Sequence, residues 1–190
     1  MRKNIVFAAA VAAVFLTIPA ALSAMPRNVL AVLNEAQEQE LVAGAGVSDM
    51  RHLPTARSIA TMEARADIGR ELQVIVSTWQ DLQNQAIGGG IDRETVGVLF
   101  DSITYTVARA AFPGSRVIYE YRAADGHYWV VMTISRANAE TVVTSAATNA
   151  EIAVAADPAV RDQAPLERER LASDDALERM RRAFDLHFGN

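Results

Sequence analysis

The segment from Ser115 to Arg136, SRVIYEYRAADGHYWVVMTISR, constrains the fold more than any other part of this chain. On either side of the turn AADG, residues alternate in character with a period of two, the pattern of strands with one buried face. The dipeptide Asp125-Gly126 within the turn is typical of β-hairpins. The sequence therefore predicts an antiparallel β-hairpin over residues 116–136, and hence a domain that contains a sheet.

An alanine-rich helix is predicted over residues 55–72, TARSIATMEARADIGREL. Its apolar stripe recurs every four residues, the spacing of one helix face: Ala56, Ala60, Ala64, Ile68 and Leu72. A row of alanines lets a helix lie close to its support. The strand predicted just before it, within ELVAGAGVSD, carries Gly44 and Gly46, and glycine inside a strand usually marks a bulge or the close approach of another backbone. We therefore expect this helix to cover the sheet at the glycines.

For two segments, the sequence allows both a helix and a strand. Residues 73–79 contain Val-Ile-Val, which is unfavourable in a helix and natural in a sheet, so a strand is preferred there. The alternative is that the helix runs on to residue 85, because three further residues fit one helix face: Ile75, Trp79 and Leu82. Residues 95–110 keep helical spacing but are rich in β-branched residues, so helix and strand both stay open.

Residues 151–190 are predicted to form a linker, which contains Pro158 and Pro165, followed by a last helix. Ser173 is a suitable N-cap for a helix that extends to Phe188. This helix carries a narrow apolar stripe: Leu177, Met180, Phe184 and Phe188. Such a stripe either folds back onto the domain or docks on another chain, and we give the two alternatives equal weight. In the second case the four residues are candidate partner contacts.

Together these elements predict an α+β fold, in which an alanine-rich helix packs on a small antiparallel sheet containing the hairpin, with an additional C-terminal helix. The domain is expected to span residues 40–150, and residues 25–39 form a short amphipathic lead-in. With 190 residues the chain is long enough to bury such a core without disulfides, and it contains no cysteine.

The N-terminus predicts an exported protein. Arg2 and Lys3 precede an uncharged apolar run over residues 5–18, which Pro19 and several small residues end. This is the layout of a secretory signal peptide, and the run is short for a membrane span. We expect residues 1–24 to be removed, which places the mature chain in the periplasm or the cell envelope. The alternative is an uncleaved N-terminal anchor.

Charge and cysteine content exclude several classes of partner and chemistry. The chain has a net charge of −5, and an acidic exported chain without basic clusters is not expected to bind nucleic acid or anionic lipid. Without cysteine there is no site for a cysteine-linked lipid, so no direct lipid anchor is expected, and association with the outer membrane stays open. Thiolate catalysis and cysteine-ligated metal are excluded for the same reason.

No sequence pattern predicts catalysis or cofactor binding. His52, His127 and His187 are far apart in the chain and are interpreted as surface or turn residues rather than a metal site. Neither GAGVSD nor IGGGID has the spacing of a phosphate-binding loop. Glu63 and Asp67, one helix turn apart, are interpreted as a solvated charged face that neighbouring arginines neutralise. We therefore predict no catalytic, metal-binding or cofactor-binding residue and no cofactor.

The hairpin also contains four aromatic residues that are candidates for a ligand-binding surface: Tyr119, Tyr121, Tyr128 and Trp129. Aromatic side chains on a strand that covers a core are usually buried in that core. Packing under the helix is therefore the preferred interpretation, and a binding surface is the alternative.

The order of these elements and two motifs resemble a known family. ARADIGREL in the helix and YEYRAADGHYWVVMTISR in the hairpin are similar to the lipoprotein-20 (LPP) family of exported bacterial envelope proteins, which includes relatives of the flagellar assembly proteins P and T. The resemblance covers about residues 40–150. Family members commonly carry a lipidated cysteine, which this chain lacks. The resemblance implies no enzymatic activity.

The sequence therefore predicts an exported, non-enzymatic structural or interaction protein of the bacterial cell envelope, in envelope or flagellar assembly. We expect it to have protein partners or to self-associate. The alternative is a periplasmic module that binds a small ligand or peptidoglycan through the hairpin aromatics. Co-purification after mild cross-linking separates the two, because the first predicts a large assembly and the second a monomer with a bound glycan.

Overall fold

The computed structural model describes residues 25–86, 93–110, 112–156 and 174–189. Within these ranges the chain forms five helices and one three-stranded antiparallel sheet. The helices are α1 (Arg27–Glu38), α2 (Leu53–Ala86), α3 (Arg93–Ala108), α4 (Arg136–Ala156) and α5 (Asp174–Phe188). The strands are β1 (Leu41–Ser48), β2 (Arg116–Arg122) and β3 (Tyr128–Ser135). The predicted α+β fold, with its C-terminal helix, is confirmed.

Several sequence predictions lie outside the described residues. These are the signal peptide at residues 1–24, the linker prolines Pro158 and Pro165, and the capping residue Ser173. The lead-in at residues 25–39 contains helix α1, which packs on the sheet. None of the helices in the described ranges is long and apolar enough to cross a membrane.

The hairpin predicted over residues 116–136 is β2 and β3, and the sheet order β1-β3-β2 makes β3 the central strand. β1 pairs with β3 in unbroken antiparallel register along its whole length. The pairing of β2 with β3 is interrupted by an irregularity between Val117 and Tyr119. Gly126 in the connecting loop has φ +95°, a left-handed conformation that glycine adopts without strain.

Helices cover both faces of the sheet. One face of β3 packs in the main core with α2, through Tyr128, Val130, Met132 and Ile134. The opposite face packs with Val29 of α1, through Trp129 and Val131. Because the central strand is buried on both sides, YWVVMTIS is apolar at nearly every position.

Helix α2 lies directly on β1 at the two glycines. A Cβ atom on Gly44 would lie 2.4 Å from the carbonyl oxygen of Ala64, and one on Gly46 would lie 2.0 Å from that of Ala60. Both alanines are fully buried. The predicted close approach of helix and strand is confirmed, and the space at each glycine is already filled by helix backbone.

The prediction of a strand over residues 73–79 is wrong. Helix α2 (Leu53–Ala86) is uninterrupted, so the alternative of a helix that continues to residue 85 is correct. Ile75, Val76 and Trp79 are all buried, and two adjacent buried residues fit a broad helix face. Burial of these side chains outweighs the modest helix propensity cost of β-branched residues, which is a few tenths of a kcal/mol each, roughly.

Residues 95–110, where helix and strand were both open, lie mostly in helix α3. Phe100, Ile103 and Val107 are buried at helical spacing. The ring of Phe100 meets that of Trp79 edge to face, with centroids 5.0 Å apart and an interplanar angle of 75°. This aromatic pair joins α3 to the second half of α2, which is the part that the strand prediction missed.

Helix α5 folds back onto α2, the first of the two alternatives. Met180 and Phe184 are buried in the main core, and Leu177 and Phe188 pack against it. The hypothesis that these four residues form an exposed partner contact therefore needs correction, because the chain's own core covers their stripe. Ala176 and Ala183 are fully buried beside these residues, so the buried face of α5 is wider than the predicted stripe.

Polar contacts reinforce the position of α5. Arg136, at the start of α4, lies 2.6 Å from Asp185 of α5 and 2.9 Å from Glu140. Hydrogen bonds from the guanidinium to Glu140 and Asp185 raise the pKa of Arg136 above the ordinary arginine value. Arg179 Nε donates to the buried Oε1 of Gln83 at 2.6 Å. The helix is thus held by charges and hydrogen bonds as well as by its apolar stripe.

Candidate interaction surface at the sheet edges

Acidic side chains of α2 close the β1 edge of the sheet. The N–H of Ala45 donates to Asp67 Oδ2 at 3.0 Å, and the N–H of Val47 donates to Glu63 Oε2 at 3.4 Å. Alternate residues of a strand are about 6.6 Å apart and four residues of a helix rise about 6 Å, so the two repeats match. The carboxylates occupy the positions that carbonyl groups of a further strand would take.

This role of Glu63 and Asp67 was missed by the interpretation as a solvated charged face. Asp67 also pairs with Arg70, at 2.9 Å between Oδ1 and Nη2. Its Oδ1 therefore binds Arg70, while its Oδ2 accepts the N–H of Ala45. The signal was present in the sequence as two carboxylates at i, i+4 beside the alanine stripe, preceded by a strand with glycines at i, i+2. A helix that lies close to a strand brings short acidic side chains within reach of its edge.

The β2 edge of the sheet, by contrast, has no neighbouring strand in the part of the chain that the structure describes. The N–H of Ala123 donates to the carbonyl of His127 at 2.8 Å, and in an antiparallel pair alternate residues point to opposite sides. The backbone N–H groups of Arg122 and Glu120 therefore point away from β3. Among the described residues, none accepts a hydrogen bond from either N–H group. Val117 and Ile118, on the same strand, are 36% and 38% exposed.

Positive charge surrounds this edge. Arg116 and Arg122 stand at its two ends and are exposed. The one acidic residue of β2, Glu120, is occupied: Arg57 of α2 lies 2.6 Å from its Oε1, and the hydroxyl of Tyr128 donates to its Oε2. Burial and the hydrogen bond to Glu120 raise the pKa of Tyr128. The β2 edge is thus basic within an acidic chain.

The four hairpin aromatics do not form one surface. Tyr128 lies in the main core on the α2 face, whereas Tyr119, Tyr121 and Trp129 lie on the α1 face. Trp129 and Tyr128 are buried, and the two other tyrosines are half-buried, with stacked rings whose centroids are 6.4 Å apart. Tyr119 also accepts a hydrogen bond from Asn28 Nδ2 of α1 at 2.7 Å. The structure thus brings three of the four together under α1.

The three histidines lie in different places. His52 contacts Thr55, and His127 lies 3.0 Å from Asp125 in the hairpin loop, where hydrogen bonds from His127 lower the pKa of the carboxyl. His187 of α5 is largely buried against α2, which lowers its pKa. Within the part of the chain that the structure describes, no three histidine or acidic residues are grouped so that they could hold a metal ion.

Among the concavities on the surface of the described residues, two lie between helices, and a third lies along α5 alone. One, of about 440 Å³, lies between α3 and α4 and is mostly apolar, with a single charged residue, Arg109, stacked on the ring of Tyr105 at 5.1 Å. The other, of about 320 Å³, lies between α1 and α2 along the closed β1 edge and includes Glu71. Burial and the nearby Asp67 raise the pKa of Glu71.

Among the described residues, the sheet thus has one closed edge and one edge without a neighbouring strand. Comparison with known proteins adds no further assignment. No family model and no curated protein matches this chain. The resemblance to the lipoprotein-20 family therefore stays a prediction from the sequence motifs alone.

Proposed function

We propose that this protein is an exported, non-enzymatic interaction protein of the bacterial cell envelope, which acts by holding another protein. The observation that supports this proposal best is the contrast between the two sheet edges. One edge is closed by Asp67 and Glu63, whereas the other presents N–H groups that no described residue accepts, and two partly exposed apolar residues. An open edge strand is a template for pairing with another chain.

The proposal also includes the cellular location of the protein. The basic, apolar and small-residue order of residues 1–24 supports export, and the lack of cysteine supports retention by protein contacts rather than by lipid. The resemblance of residues 40–150 to the lipoprotein-20 family supports a place in envelope or flagellar assembly. Association with the outer membrane would then depend on the partner.

Two measurements on the same cell fraction test this function. N-terminal sequencing of the chain from the envelope fraction should find a mature start at Ala24 or Met25. Mild cross-linking followed by size separation should place the chain in an assembly larger than a monomer. A chain that starts at Met1 in the cytoplasm would contradict the proposed address, and a monomer under all cross-linking conditions would contradict the proposed role.

The second candidate function is a periplasmic small-ligand or peptidoglycan-binding module. The buried and divided hairpin aromatics offer it little support, because Tyr128 and Trp129 have no exposed face of useful size. The groove between α3 and α4 favours it, since Tyr105 and Arg109 stand at the mouth of a mostly apolar concavity. A purified monomer that binds peptidoglycan fragments, and loses this binding on Tyr105→Ala, would favour the module over the interaction protein.

A further inference from the structure

We infer that the β2 edge takes up an extended, acidic segment of a different protein as a fourth strand of the sheet. This inference rests on the proposed function and names the kind of partner that it requires. It depends on three properties of β2: the direction of its backbone groups, the charge around it and the apolar residues along it.

The backbone groups of β2 are ready for pairing. The hairpin closure at Ala123 and His127 sets the alternation, so that the N–H groups of Glu120 and Arg122 point outward. An added strand would supply carbonyl acceptors to both, in the same way that Asp67 and Glu63 supply carboxylate oxygens to the β1 edge. The irregularity between Val117 and Tyr119 limits regular pairing to the C-terminal half of β2. A short pairing segment is therefore expected.

Charge decides the chemistry of the added segment. Arg116 and Arg122 are exposed at the ends of β2, and Arg57, 60% exposed, lies beside its middle. Glu120 and Arg57 neutralise each other, so Arg116 and Arg122 carry the positive excess. The register places Arg122 on the α2 face and Arg116 on the α1 face, so acidic side chains on one face of the added strand would meet Arg122, whereas basic side chains would face a like charge there.

The apolar residues of β2 set the remaining pattern. Val117 and Ile118 are partly exposed at the start of the strand, and the stacked rings of Tyr119 and Tyr121 are half-buried on the α1 face. An added strand on the C-terminal half of β2 places side chains beside the tyrosine rings, and its end reaches Ile118 next to the irregularity. The expected segment thus alternates small β-branched residues with acidic ones.

A second copy of this chain fits the edge less well. Pairing of two β2 strands brings the exposed Arg116 and Arg122 of both copies together, and in full antiparallel register Arg116 would lie opposite Arg122 at both ends. Like charges directly opposite each other destabilise a strand pair. A different protein with an acidic segment avoids this repulsion, and self-association through β2 becomes an outcome of the experiment that overturns the inference.

The probe is a labelled eight-residue peptide in which glutamate alternates with valine, measured by fluorescence anisotropy against the mature chain. A lysine–valine peptide of the same length should bind at least about threefold more weakly, because it replaces the favourable contact with Arg122 by a repulsive one. Two further glutamate–valine peptides carry N-methyl groups on odd or on even residues. Since a strand pairs through one set of its amides, one of these should lose binding and the other keep it.

Matched variants locate the binding site on the protein. Ile118→Asn replaces an apolar side chain on the edge with a neutral polar residue that is unfavourable in strands, and should weaken peptide binding about tenfold. Met62→Asn makes the same change at a 61% exposed apolar residue of α2 and should leave binding unchanged. Arg122→Glu should also weaken binding of the acidic peptide, and Arg65→Glu on the exposed side of α2 is its control. Melting temperature and circular dichroism confirm that each variant is folded.

Several results would overturn the inference. These are equal binding of both N-methylated peptides and their parent, equal effects of Ile118→Asn and Met62→Asn, or no binding of the acidic peptide at about 1 mM. A dimer of the wild-type chain that Ile118→Asn converts to a monomer would assign the edge to a second copy instead. If Ile118→Asn leaves the cross-linked assembly intact, the proposed function stands and the β2 edge is not its docking site.

Discussion

Substitution of Gly46 by alanine is expected to destabilise the fold more than any other single-methyl change in β1. The added Cβ would lie 2.0 Å from the carbonyl oxygen of Ala60 and 2.4 Å from the backbone nitrogen of Ala64. Both atoms belong to the helix backbone, so no side-chain rotation relieves the contact. Restoring an ordinary separation of 3.4 Å to the oxygen requires α2 to move by about 1.4 Å relative to the sheet.

The cost follows from that displacement. Overpacking of a core usually costs about 1–3 kcal/mol, and a clash with backbone belongs at or above the upper end of that range. The smaller backbone entropy of alanine in the unfolded chain returns only about 0.4–1 kcal/mol. For a chain of this size, a loss of about 3 kcal/mol corresponds to a decrease of roughly 6–12 °C in melting temperature.

Gly97→Ala is the matched control, since a Cβ atom at this position in α3 meets nothing within 4 Å. Alanine in a helix is preferred over glycine by about 0.5–1 kcal/mol, so this variant should melt slightly above the wild type. Thermal and urea unfolding of the mature chain, followed by circular dichroism, measure both variants. A Gly46→Ala protein as stable as the wild type would refute the close contact of α2 with β1.

Three further predictions concern the helices. Ile75→Ala should lower the free energy of unfolding by about 2–5 kcal/mol and the half-exposed Val74→Ala by no more than about 0.5, because α2 is a helix at these positions; equal losses in urea unfolding would contradict this. Arg136→Met should cost about 1–2 kcal/mol and speed amide exchange in α5, since it removes partly exposed ion pairs to three carboxylates. Burial lowers the pKa of His187, so the folded protein holds this side chain neutral. The stability that the neutral His187 contributes is fully present above about pH 6.5, and it decreases as the pH falls toward the pKa of the folded state. The free energy of unfolding of His187→Phe should therefore fall less than that of the wild type between about pH 6.5 and 5. The raised pKa of Glu71 favours the folded state at lower pH in both proteins and so opposes this loss.

The elements that the sequence predicted well are those with a strong local period. The hairpin alternates with a period of two and contains its own turn, and the alanine stripe of α2 meets the glycines of β1 at matching positions. The first pattern corresponds to the pairing of β2 with β3, and the second corresponds to the contact of α2 with β1. Local spacing is therefore enough to predict both the hairpin and the helix on the sheet.

The failures arise where tertiary contacts outweigh local preference. Val-Ile-Val in residues 73–79 favours a strand by itself, but burial of Ile75 and Val76 against α3 and the core keeps it helical. The spacing of the α5 stripe equally allows docking and fold-back, and the partners that decide between them, such as Gln83, lie far away in sequence. The strand order β1-β3-β2, which determines the open edge, is likewise a long-range property.

Amide hydrogen exchange measured by NMR tests the central claim, that one sheet edge is closed and the other is open for a partner strand. In the free protein, the amides of Ala45 and Val47 should be protected, whereas those of Glu120 and Arg122 should exchange rapidly. Addition of the glutamate–valine peptide should protect Glu120 and Arg122 and leave the β1 amides unchanged. Protected outward amides on β2 in the free monomer, or peptide binding without their protection, would contradict the account.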